Sequence, residues 1–134
     1  MKESWTKNPT DITVGSAAVG LEFTPEGKTA LVTSGGMGTG KGRVSTIDVK
    51  SRTSHITNIS VGAFPFGLAI TPNGKTLIVA NNDSGTVSTI DLKTKAKHRT
   101  DIPVGRAPGG VAITLDGKTA FVSNNGLPPL HWRR

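Results

Sequence analysis

The sequence contains no cysteine. That excludes a disulfide framework, a thiolate metal site and a cysteine nucleophile. Aromatic residues make up only 4% of the 134 residues, so the core has to be built from Val, Ile, Leu and Ala. No apolar run is long enough to cross a bilayer as a helix. Met1 to Thr10 (MKESWTKNPT) has no apolar stretch either, so no signal peptide is expected in this chain. No segment of useful length carries a 3.6-residue apolar period, which argues against long helices. Acidic residues are scarce as well: 9 Asp and Glu stand against 16 Lys and Arg, a net charge of +7. Such a surplus favours acidic partners by steering but says nothing about the fold.

What is abundant is glycine, 17 residues, joined by 8 prolines, which points to many turns. The length suits one ordinary domain with one moderate core. Within it the chain repeats itself. VGSAAVGLEFTPEGKTALVTS (Val14 to Ser34), VGAFPFGLAITPNGKTLIVAN (Val61 to Asn81) and VGRAPGGVAITLDGKTAFVSN (Val104 to Asn124) align at offsets of 47 and 43 residues. VSTID occurs at Val44–Asp48 and again at Val87–Asp91, offset by 43, so the first unit carries four extra residues between Ser34 and Val44. A period in the low forties marks an array of supersecondary units.

Each unit reads as four short strands. In the second, Phe66–Thr71 leads into the turn Pro72-Asn73-Gly74-Lys75, where Pro pre-sets φ and Gly accepts a positive φ. Thr76–Asn81 is a mostly apolar strand, Asn82-Asp83-Ser84-Gly85 a turn, and Thr86–Leu92 an alternating strand. Ala96–Val104 is polar and basic, as an outermost edge strand should be. Four-stranded units without helices read as β-propeller blades. The fold class is therefore all-β, an incomplete β-propeller with four-stranded antiparallel blades of about 43 residues. Thr10–Gly15 (TDITVG) matches Thr100–Gly105 (TDIPVG), so residues 1–13 hold the outer strand of a preceding blade. Residues 14–60 form a first full blade and residues 61–103 a second. Residues 104–126 form half a third, and residues 127–134 an irregular tail in which two prolines oppose a central strand. Propellers close with four to eight blades, so the missing blades are expected from a longer chain or from a homo-oligomer.

These motifs resemble the YVTN type of β-propeller repeat, in which V-G-x-x-P-x-G-x-A-x-T-P-D-G-K is followed by Y-V-T-N and V-S-V-I-D. The resemblance runs from Thr10 to Asn125, with Leu31, Ile78 and Phe121 at the Tyr position, Ala18 for the first Pro and Leu115 for the Pro of the third turn. It implies a lactonase-like or NHL-like propeller and, because such proteins are often exported, a periplasmic or extracellular origin.

The stretch Ser34–Arg43 (SGGMGTGKGR) nearly spells a phosphate-binding loop: Gly35, Gly40 and Lys41 fit G-x-x-x-x-G-K, and Gly42 stands where Ser or Thr is needed. A working loop of that type opens a helix, whereas RVSTIDV is a strand by its repeat partner. The stretch therefore reads as a lengthened turn. Ligand or partner candidates are residues that break the repeat on one loop face: Gly36, Met37, Lys41 and Arg43 in this turn, and Arg106 between the second and third units. Glu22 joins them, since it replaces Ala69 and Ala112 on an innermost strand near the expected channel. The repeated Asp48/Asp91, the Asn pairs and Lys28/Lys75/Lys118 read as structural. No His pair has metal-ligand spacing and no nucleophile elbow is present, so no catalytic residue, metal or cofactor is assigned. The leading functional reading is a non-catalytic binding or scaffold module acting through the loop face or channel. Its alternatives are part of a lactonase-like or redox-associated propeller enzyme, and nucleic-acid binding through Lys93, Lys95, Lys97, His98 and Arg99.

Overall fold

The computed structural model of the chain describes residues 5–35 and 40–126. Three antiparallel sheets follow one another. The first has β1 (Ala18–Phe23), β2 (Thr29–Ser34), β3 (Gly42–Asp48) and β4 (Thr53–Val61) in that order. The second has β5 (Pro65–Ile70), β6 (Thr76–Asn81), β7 (Thr86–Asp91) and β8 (Ala96–Lys97), with β9 (Ile102–Pro103) also paired to β7. The third has β10 (Pro108–Ile113) and β11 (Ala120–Asn124). No helix occurs among the described residues. The fold is all-β and propeller-like, an incomplete array of meander blades.

The T-P-x-G-K turns show why the strands reverse where they do. Gly74 takes φ 73°, and the Thr71 hydroxyl accepts from the Thr76 amide at 3.0 Å and donates to Asn73 Oδ1 at 2.7 Å. Asn73 Oδ1 also accepts from the Lys75 amide at 3.0 Å, which closes the turn. Thr114, Asp116 and Lys118 repeat the same bonds in the third sheet.

The core lies between the first two sheets. Leu31, Val44, Ile59 and Val61 of the first meet Leu68, Leu77, Val79 and Ile90 of the second, with Ile70 and Leu92 packed beside them. Burying each large aliphatic side chain there contributes about 1.5–3 kcal/mol. The innermost strands approach so closely that a Cβ on Gly20 would strike the Phe66 carbonyl, and one on Gly67 the Gly109 carbonyl. Thr33 fastens the first contact: its hydroxyl accepts from the Gly20 amide at 2.9 Å and donates to the Phe66 carbonyl at 2.9 Å. Asn82 fastens the second by donating its amide to the Pro108 carbonyl at 3.0 Å.

Two local expectations meet a different geometry. Residues 5–17 form no strand. The edge segment Ala96–Val104 is not one strand but two short ones, β8 and β9, parted at residues 98–101. The break lets Asp101 turn inward to Ser88 and Lys97.

Candidate functional site

The meander gives the arc two ends. At one end the blade connectors meet the second-to-third strand turns. The Asn82 amide donates to the Phe64 carbonyl at 2.9 Å, the Gly126 amide to the Arg106 carbonyl at 3.1 Å, and the Gly35 amide to the Ala17 carbonyl at 3.0 Å. Lys41, Arg43 and Arg106 are all exposed at this end. Gly36 and Met37 lie outside the described residues. The segment after the Gly-rich turn is β3, a strand and not a helix, so the turn has no helix N-terminus with which to hold a phosphate.

Glu22 sits elsewhere. It is exposed on β1 and pairs with Leu31, whereas Arg43 pairs with Ser34 three residues along β2. That separation is about 10 Å at the rise of a strand. The Glu22 carboxylate accepts from the neighbouring Phe23 amide at 3.1 Å. The structure thus does not gather Glu22 with the loop cations. Among the described residues, no group of three or more His, Asp or Glu is arranged to hold a metal ion.

Sequence reasoning missed a polar clasp beneath the connector end. The buried Asn81 side chain accepts from the Gly62 amide at 3.1 Å and donates to Thr86 Oγ1 at 3.1 Å and Ser88 Oγ at 2.9 Å. Ser88 passes the chain to Asp101 at 3.0 Å, which is ion-paired to Lys97 at 2.8 Å. One side chain therefore joins the incoming connector to two strands, β6 and β7. Gly62 has to be glycine because a Cβ would come within 2.6 Å of the Asn81 side chain. The recurrence of V-G and of a strand-ending Asn was the available signal; their contact was not visible in it.

At the other end lie the turns between first and second, and third and fourth, strands. Successive blades touch here, with Pro25 beside Gly74 and Pro72 beside Gly117. Within a blade the two turns are stapled: the Val49 amide donates to the Lys28 carbonyl at 3.0 Å, and the Leu92 amide to the Lys75 carbonyl at 2.9 Å. Three carboxylates of this end, Asp48, Asp91 and Asp116, are spent inside their own turns. The Ser51 amide and hydroxyl hold Asp48 below the usual carboxylate range. The Thr94 amide, aided by that of Lys93, does so for Asp91, and the Thr114 hydroxyl for Asp116.

No protein-family model matches the sequence, and no curated protein matches it. Solved structures do. Hydrazine synthase from Kuenenia stuttgartiensis, a β-propeller-containing protein, superposes with a TM-score of 0.75 at 27% identity over 92% of this chain and 33% of its own. A functionally unknown protein from Desulfotomaculum acetoxidans superposes with a TM-score of 0.58 at 15% identity, over 80% of this chain and 49% of its own. The chain thus spans between a third and a half of the length of these structures.

Proposed function

We propose that the chain is a non-catalytic binding and scaffold module of the YVTN repeat type, which joins further blades through its two open ends. One observation carries this reading. Val19, Leu21 and Phe23 on β1 are 52%, 58% and 51% exposed, whereas Leu68, the counterpart of Leu21 on β5, is 8% exposed in the core between blades. The same strand position is thus an interior contact in the second blade and an open apolar face in the first. At the far end Phe121 is 68% exposed, while Leu31 at its repeat position is 1% exposed. Apolar faces of this kind mark interaction surfaces. Their natural cover is another blade, whether from a longer chain or from a second copy. The exported origin implied by the repeat type belongs to the same proposal.

The experiment is the double variant Leu21→Lys with Phe23→Lys. Both side chains are already exposed, so the melting temperature is expected to hold while self-association in solution is lost. Association that persists unchanged would overturn the assignment of β1 as a blade-joining face.

A further inference from the structure

The loop end attracts attention because the sequence is unusual there, but the opposite end carries more of the charge. Lys28, Lys50 and Arg52 occupy the stapled turns of the first blade, and Lys75, Lys93 and Lys95 those of the second. Lys118 adds the third blade's contribution, and all of these side chains are exposed. The acidic residues of this end do not offset them outward. Asp48, Asp91 and Asp116 point their carboxylates at their own turn donors, and only Glu26 is not held in that way among the described residues.

Between the first two blades this end opens into a groove of about 440 Å³, within the size range of ligand sites. Its floor is apolar, formed by Leu31 and Leu92. One wall carries Thr29, Thr46 and His55 of the first blade together with the carboxylates Glu26 and Asp48, the latter held by Ser51, and the other carries Lys75, Lys93 and Lys95 of the second. The next groove along the arc repeats the first wall with Thr76, Thr89 and His98. It lacks the facing lysine wall, since the third sheet has no third or fourth strand among the described residues. The complete groove is thus a product of two adjoining full blades.

We infer that this turn end docks an acidic segment of a partner protein, whose carboxylates meet Lys75, Lys93 and Lys95 while an aliphatic side chain enters the groove onto Leu31 and Leu92. A flexible peptide fits a recess with an apolar floor and a cationic rim. A nucleic-acid duplex is too wide to enter it, and no Phe, Tyr or Trp lines the groove as a platform for stacking single-stranded bases. Lys97, which the sequence places in the same basic cluster, is taken up by Asp101 and belongs to the clasp. The inference does not depend on what covers the open blade ends.

The test is fluorescence anisotropy at low salt with a labelled peptide whose glutamates flank a central leucine. Binding is expected to weaken as salt rises. Lys93→Glu with Lys95→Glu should weaken it by about tenfold or more, and Lys41→Glu with Arg99→Glu, the same charge change placed elsewhere, by less than about twofold. Exchanging the peptide's leucine for glycine should also weaken it. Absence of binding at low salt would overturn the inference. So would equal losses in the two double variants, indifference to the leucine, or tighter binding of a single-stranded oligonucleotide of matched charge.

Discussion

The first and second blades run the same meander with the same register, yet they solve one packing problem differently. In the second, Asn81 bridges Gly62, Thr86 and Ser88 at 2.9–3.1 Å. In the first, Ser34 stands at the Asn81 position and Ser45 at the Ser88 position. Both hydroxyls are fully buried, and neither has a hydrogen-bond partner among the described residues. Gly15 still lies against Ser34 as Gly62 lies against Asn81. The approach of connector to strand is therefore retained, while the amide that would satisfy it is lost. A buried unsatisfied hydroxyl costs about 1–3 kcal/mol. The first blade carries two of them, and the second converts the same positions into a network.

Breaking the intact clasp should have the largest effect. Asn81→Ala strands the part-buried Gly62 amide and removes the donor shared by Thr86 and Ser88, leaving Ser88 only Asp101, and denaturant unfolding is expected to show a loss of about 2–4 kcal/mol. A loss below about 0.5 kcal/mol would mean that the bonds are incidental. The first blade should respond in the opposite direction. Ser34→Asn supplies the missing amide beside Gly15 and Ser45, and a gain of about 1 kcal/mol is expected from the same measurement. Ser34→Ala removes an unpartnered hydroxyl and should be neutral or slightly stabilising, in contrast to Asn81→Ala.

The smallest difference concerns the turn carboxylates, which the two blades share. Asp48 and Asp91 are lowered by turn hydrogen bonds, foremost those from the Ser51 and Thr94 amides. An unfolded Asp titrates near about 3.9, so the stabilisation is complete above that pH and is lost as pH falls through the lower folded values. Melting temperature should therefore drop on acidification below about pH 4. Asp91→Asn and Asp48→Asn should each flatten that drop by a similar amount. A melting temperature that rises in acid would contradict the sign.

The blade architecture was legible because it is written several times: repeated turns with Gly27, Gly74 and Gly117, all near φ 73°, leave little freedom in strand order. Other backbone features were hidden because they use residues that do not announce them. Ala17, Phe64 and Ala107 share positive φ at matching connector positions, as do Arg52 and Lys95 in the third-to-fourth strand turns. No glycine marks these sites, so tertiary contacts impose the conformation against local preference. The break between β8 and β9 was hidden for a similar reason: it goes with the contact between Asp101, in the break, and Ser88 of β7, which the linear sequence does not display. Glu22 stood out as a departure from the repeat, but a departure shows only that the site differs. Its distance along β1 from Arg43 is a matter of register, which the repeat fixes only once the sheet is assembled.

The clasp and the stapled turns hold the second blade in shape; the open ends carry the proposed blade-joining role. Leu21 occupies a position that the second blade buries at Leu68, Phe23 lies exposed beside it, and Phe121 lies exposed at the opposite end. Light scattering on a sizing column, run over a range of concentrations, tests that account most directly. The account predicts a mass above the monomer that grows with concentration and falls back to the monomer in the Leu21→Lys, Phe23→Lys double variant. A cooperatively melting monomer at every concentration would contradict it.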